Sequence, residues 1–154
     1  MPEFGGSATR RVDARPDEVF DLITDIDRLP EWNACIEKVV QKPESLAIGR
    51  EWVVTIHVPG VPRWESRSRV VALDRDAGRF VYESRTDDGN PSRGTWTWEV
   101  ASSNGGTDVA VHWALQPRTF WRNVLFSRIR RRQLAKEVPA SVEALAAALV
   151  QSPA

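Results

Sequence analysis

Seven tryptophans and a single tyrosine are the most unusual chemical resource of this 154-residue chain. Trp52, Trp64, Tyr82, Trp96, Trp98 and Trp113 each fall in the more apolar phase of an alternating segment, so one sheet face would collect them all. Ile56 shares that phase, as do three small hydroxyl residues, Ser66, Ser68 and Ser84. Flat rings interleaved with small hydroxyls suit two arrangements. They can fill a solid core, where burying one ring removes roughly 150–250 Å² from water and contributes about 4–6 kcal/mol before entropy. They can instead wall a pocket in which indole N–H, phenol O–H and serine O–H groups orient a ligand. Some rings can do both.

Acid–base chemistry has few candidates. His57 and His112 are the only histidines, and histidine is the side chain that titrates near neutral pH. Both fall in the less apolar phase, on strands that should lie several ~4.8 Å steps apart, so no two-histidine metal site is expected. Asp25, Asp27 and Glu31 cluster around short helices, where capping and solvation account for them. Glu65 and Glu83 alternate with Arg67, Arg69 and Arg85 on what should be the wet face, as cross-strand ion pairs would. Cys35 has no base beside it and reads as a small, semi-buried residue. As the lone cysteine it excludes an intrachain disulfide and a thiolate zinc cluster. There is no glycine-rich phosphate loop and no Ser-His-Asp arrangement. No catalytic residue, metal or cofactor is therefore assigned.

A second cluster is cationic. Arg118, Arg122, Arg128, Arg130, Arg131 and Arg132 surround the start of a C-terminal helical pattern, with Trp121 and Phe126 among them. Arg128, Arg132 and Lys136 recur every four residues and share a face. That pattern fits a solvated face with intrahelical pairs. It also fits transient docking on anionic membrane lipid through Arg118, Arg122, Arg128 and Arg132.

These residues need elements to hold them. Ser7–Ala14 reads as a first strand. Pro16 and the Asp17-Glu18 pair start a helix that carries Val19, Phe20 and Ile23. Asp25 can cap a second short helix carrying Ile26 and Leu29, with Trp32 beyond Pro30. From Ile36 to about Leu115 the period is two, which predicts strands over 36–41, 50–58, 63–73, 79–85, 94–100 and 107–115. Turns at Pro59-Gly60, 74–78, 87–91 and Asn104-Gly105-Gly106 separate most of them. After Pro117 about thirty residues are helical, with stripes Trp121-Leu125-Ile129 and Leu134-Val138-Val142-Leu145-Leu149. The phase slip and Pro139 predict a kink or break near 135–139. The sum is an α+β domain: a seven-stranded antiparallel sheet, curved around one long C-terminal helix, with two short helices after the first strand.

That order resembles the helix-grip, START-like SRPBCC superfamily. The local sequence carries the resemblance in Val12-Asp13-Ala14-Arg15-Pro16-Asp17-Glu18-Val19-Phe20 and in Arg28-Leu29-Pro30-Glu31-Trp32-Asn33. Ser66-Arg67-Ser68-Arg69-Val70, Gly94-Thr95-Trp96 and Gly105-Gly106-Thr107-Asp108-Val109 extend it along the chain. The branch that fits best is the polyketide cyclase/dehydrase and lipid-transport group. The resemblance spans one domain over residues 7–150 and leaves 1–6 and 151–154 as flexible termini. It implies a ligand cavity between sheet and helix.

Bulk properties agree with such a domain. Hydrophobic residues are 42% and charged residues 27% of a chain long enough to bury a real core. The 21 basic and 21 acidic residues cancel, which argues against a whole-domain nucleic-acid binder. No apolar run reaches the ~20 residues of a membrane span, and no signal-peptide core precedes the domain, so the cytoplasm is the expected location.

Three function classes follow. The leading one is binding or transport of a hydrophobic small molecule, a lipid, an isoprenoid or quinone, or a polyketide-like aromatic. Trp52, Ile56, Trp64, Ser66, Tyr82, Trp96, Trp98 and Trp113 would line its site, and Trp32 with Phe120 or Trp121 would close the mouth. The rival is a polyketide cyclase, aromatase or dehydratase, in which the same cavity folds a flexible chain into a reactive pose. The third is a membrane- or protein-docking adaptor with a filled cavity. An enzyme should place a titratable group on the cavity wall, and a carrier should hold ligand through purification.

Overall fold

The computed structural model describes residues 4–33, 35–60, 62–86, 92–116 and 127–151. Strand β1 (Phe4–Val12) is followed by helix α1 (Pro16–Thr24), a 3-10 turn (Ile26–Arg28) and the short helix α2 (Leu29–Trp32). Six strands then run in sequence: β2 (Ile36–Gln41), β3 (Glu51–Ile56), β4 (Trp64–Asp74), β5 (Arg79–Thr86), β6 (Arg93–Ser103) and β7 (Gly106–Gln116). Helix α3 (Ser127–Gln151) ends the fold. All strands form one antiparallel sheet in the order β1-β7-β6-β5-β4-β3-β2. The helices α1 and α2 therefore carry the chain from one sheet edge to the other, and the meander returns it.

Each short helix forms for a local reason. Pro16 occupies the first turn of α1, where a missing N–H costs nothing, and Asp17 and Glu18 face the positive end of the helix. Val19, Phe20, Leu22 and Ile23 are buried. Asp25, expected to cap the next turn with its side chain, makes no such bond; its backbone N–H bonds Leu22 O instead. Trp32 lies within α2 rather than beyond it, because Pro30 sits in that helix's first turn and starts it.

Two hairpin turns rest on positive φ. Asn104 (φ 42°) and Gly105 (φ 82°) reverse the chain between β6 and β7, the backbone that a two-residue hairpin with right-twisted strands requires. Arg11 of β1 clamps this turn, donating from Nη1 to Ser103 O and from Nη2 to Asn104 O, each at 2.6 Å. Gly78 (φ 66°) closes the β4–β5 turn, where a Cβ would meet the Val100 carbonyl oxygen at 2.1 Å.

The concave face is the core. Leu134, Val138, Val142 and Leu145 recur at helical spacing on α3 and are buried in one cluster with Val12, Val54, Val70, Phe80, Trp98, Val109 and Val111. Arg10 at the β1 edge ties to Glu143 of α3 at 3.0 Å. Thr107, fully buried, donates to Ala14 O at 2.6 Å and satisfies the chain where it leaves β1.

Two expectations change. β1 starts at Phe4, inside the segment read as a loose leader, because Gly5 and Gly6 let it pair closely with Ala114 and Trp113 of β7. It also stops at Val12, two residues before Ala14. No break interrupts α3 near 135–139. Pro139 and Ala135, whose carbonyl loses its helical donor there, are both exposed, so water can take the lost bond.

The turn geometry yields a stability prediction. Gly78→Ala combines strained φ with a backbone clash and is expected to lower the unfolding free energy by about 2 kcal/mol or more. Gly105→Ala has equal strain but nothing within 4 Å of its new methyl, and should cost about 1 kcal/mol. Urea midpoints of the two variants check the order.

Candidate functional site

Cross-strand register sorts the concave face into rows. One row reads Trp52, Ser68, Ser84, Gly94 and Leu115 from β3 to β7. Its outer neighbour reads Val54, Ser66 and Thr86. On the other side lies Val70, Tyr82, Trp96, Trp113 and, on β1, Gly6. Small residues thus occupy the middle of two adjacent rows, and large rings flank them. The result is a cavity of about 140 Å³ that opens to solvent.

Its walls come from most of the fold. β3 to β5 supply Trp52, Val54, Ile56, Trp64, Ser66, Ser68, Tyr82, Ser84 and Thr86. Gly94, Trp96 and Leu115 add the β6–β7 side, and Leu29, Asn33, Cys35 and Ile36 the end near α2. Arg130 and Leu134, at the start of α3, cover it. Arg85, Ser92 and Arg93 also border it, and both arginines are partly exposed.

The rings touch one another. Trp52 meets Tyr82 edge-on at 5.0 Å between centroids, and Tyr82 stacks on Trp96 at 6.3 Å. Together they make a continuous aromatic wall. Beside it Ser68 and Ser84 share a 2.6 Å hydroxyl hydrogen bond. Burial pushes the Tyr82 phenol up, so it is a neutral donor at any ordinary pH.

Of the residues expected to line a site, the cavity brings together Trp52, Ile56, Trp64, Ser66, Tyr82 and Trp96. Three tryptophans go elsewhere. Trp32 does not close a mouth: it is 2% exposed and stands edge-on to Trp98 at 5.4 Å, because α2 turns it down into the core. Its Nε1 finds no hydrogen-bond partner among the described residues. Trp98 borders only a hollow of about 10 Å³ beside Val138 and Ser141. Trp113 lies over Gly6, whose missing side chain makes room for the indole. Phe120, Trp121, Arg118 and Arg122 lie outside the described residues. Arg128 is within the span of α3, and Arg132 is exposed.

Both histidines are exposed, and four strand steps separate β3 from β7. Glu51 takes Arg67 at 3.3 Å and Arg85 at 4.0 Å, and Glu83 takes Arg93 at 3.8 Å. Cross-strand ion pairs are present but with other partners than expected: Glu51 rather than Glu65 takes Arg67 and Arg85, and Glu83 takes Arg93.

Sequence reasoning misses the most consequential residue. Composition groups Arg130 with a solvated basic cluster, yet it is 8% exposed. Its Nη1 donates to Glu137 at 2.8 Å and to Gln133 at 3.2 Å, and its Nη2 reaches Cys35 Sγ at 3.8 Å. The guanidinium lies over the Trp64 ring, 5.4 Å from its centroid. The signal was present: Arg130 is one step of four before Leu134 on the buried stripe, with Gln133 and Glu137 at helical spacing to receive it. Among the described lining residues there is no carboxylate and no histidine.

Cys35 completes that corner, 3.4 Å from Asn33 Oδ1. Burial pushes its thiol up to about 11, against the pull of Arg130. The thiolate is the reactive form, so alkylation by iodoacetamide should be slow at pH 8 and rise with a midpoint near 11. Mass spectrometry of alkylated protein across pH would contradict this by showing a plateau near the ordinary thiol value of 9.0.

Comparison with known proteins places the arrangement. A search of curated proteins found no match. Among solved structures, protein CV1439 from Chromobacterium violaceum superposes with a TM-score of 0.76 at 19% identity, over 97% of this chain and 99% of that one. TTHA0849 from Thermus thermophilus gives 0.75 at 18% identity, over 99% and 100%. The di-domain ARO/CYC BexL from the BE-7585A biosynthetic pathway gives 0.78 at 18% identity, over 98% of this chain and 51% of that one. These likenesses establish a shared helix-grip fold. The profile of one family matches residues 5–151, nearly the whole chain, and by that match the protein belongs to the polyketide cyclase / dehydrase and lipid transport family.

Proposed function

We propose that the protein binds a hydrophobic aromatic small molecule in the cavity between the sheet and the start of α3. The observation that carries this reading is the unfilled volume beside the Trp52–Tyr82–Trp96 wall. An apolar cavity of ~150 Å³ admits benzene, so about 140 Å³ receives one ring, and the opening leaves space for a second. Apolar burial supplies the affinity, and the surrounding hydroxyl, phenol and guanidinium donors set the pose. A filled cavity, as an adaptor would have, fits these walls less well.

Turnover is the second reading, favoured by the cyclase members of the family and by the donor set. Arg130, Tyr82 and the serines can polarise a ligand carbonyl, and the cavity can hold a flexible chain in a reactive pose. A proton acceptor suited to neutral pH is absent from the described lining, because Cys35 and Tyr82 both hold their protons. Binding therefore stands first.

Two measurements test it. Native mass spectrometry of gently purified protein, followed by organic extraction, is expected to release an apolar aromatic mass. Ser66→Phe, which fills the cavity from β4, should weaken binding of 2-naphthol about tenfold or more, read as quenching of tryptophan fluorescence, with little change in melting temperature. Unchanged naphthol affinity in this variant would locate binding elsewhere.

A further inference from the structure

The arginines around the cavity carry a second message, which rests on the binding reading above. Three cationic side chains reach it, each beside a carboxylate outside the lining, and of these, among the described residues, Arg85 alone shares its carboxylate, Glu51, with a second cation, Arg67. Arg130 pairs with Glu137 at 2.8 Å, Arg93 with Glu83 at 3.8 Å and Arg85 with Glu51 at 4.0 Å. The innermost pair is also the most enclosed: the side chains of Arg130 and Glu137 are 10% and 16% exposed. A ligand carboxylate placed against Arg130 would meet a charge already neutralised. It would leave one net negative charge in a site walled by indoles, where uncompensated charge is costly. A fatty acid, a phosphate ester and a free aromatic acid are all disfavoured on this ground.

A neutral oxygen fares differently. Arg130 spends Nη1 on Gln133 and Glu137, while among the described residues Nη2 has only the Cys35 sulfur at 3.8 Å, a weak acceptor. Nη2 can donate to a hydroxyl or keto oxygen without disturbing the ion pair. The Trp64 ring beneath the guanidinium and the Ser66 hydroxyl two residues along β4 bound the same corner. We propose that the cavity selects neutral, oxygen-bearing aromatics of one or two rings, phenols or quinones, and discriminates against carboxylates of the same shape. Glu137, which touches Arg130 and not the ligand, would set that selectivity by holding the corner at zero net charge.

The test uses 2-naphthol and 2-naphthoate, which share a ring system and differ in charge at about pH 7.5. Binding is read by tryptophan quenching and confirmed by calorimetry on the full chain. The wild-type protein is expected to bind naphthol at least about tenfold more tightly than naphthoate. Glu137→Gln, checked by circular dichroism and melting temperature, should leave Arg130 unmatched and strengthen naphthoate binding about tenfold, with naphthol changed far less. Equal wild-type affinities, or a preference for naphthoate, overturn the selectivity while leaving the cavity as a binding site. A folded Glu137→Gln protein with an unaltered preference removes Glu137 from the account. Failure of both probes to bind the wild type overturns the binding reading itself and this inference with it.

Discussion

The structure depends on one packing requirement. The stripe Leu134, Val138, Val142 and Leu145 on α3 needs an apolar partner, and the concave face of the sheet supplies it together with α1 and α2. That face exists because consecutive strands keep the same phase of alternation, so every second residue points at the helix. A slip of one residue in β4 would turn the Trp64 indole into water and Arg67 into the core. The β4 irregularity between Val70 and Ala72 shows how the phase is protected. The bulge absorbs one residue at Val71, which is exposed, and lets Leu73 pair with Phe80.

The cavity is what this packing leaves open. Large rings would close the space under α3 if they occupied every inward position. Instead Ser68, Ser84 and Gly94 stand side by side across three strands, and Ser66 and Thr86 stand in the next row. Their small volumes place a trough beside the aromatic wall. The helix follows the same logic from above: its apolar stripe continues toward the N-terminus as Arg130, a guanidinium held down by Glu137. Volume and polarity therefore change together at one end of the core.

Much of this was legible in the chain. The strand phases, the turn at Asn104-Gly105 and the inward positions of Trp52, Trp64, Tyr82 and Trp96 follow from period-two alternation, which is a local property. What escaped was set by non-local geometry. Trp98 and Trp113 share the inward phase, but their place along the strand puts them under other elements: Trp98 beside Trp32, and Trp113 over Gly6 on the edge strand. Phase tells which face a ring takes and says nothing of what stands opposite it. Arg130 escaped for a different reason. Several of its neighbours are basic, and composition dominated a position that spacing would have assigned to the core. Pro139 shows the converse, a residue whose usual effect is muted because it faces water.

Strand β2 has two register irregularities, between Ile36 and Lys38 and between Val39 and Gln41, in only six residues. It is also one of the two edges of the sheet, and Lys42 just beyond it is tied to Asp27. A strand this short and this bent offers no straight run of unpaired N–H and C=O groups to a second molecule, and its exposed Lys38 repels a like neighbour. At the opposite edge β1 is engaged sideways by α3 through Arg10 and Glu143. A sheet of seven strands is thereby kept from continuing into an eighth. The hydrogen bonding that assembles the fold has a defined end, and aggregation through its edges is disfavoured by the same residues that shape it.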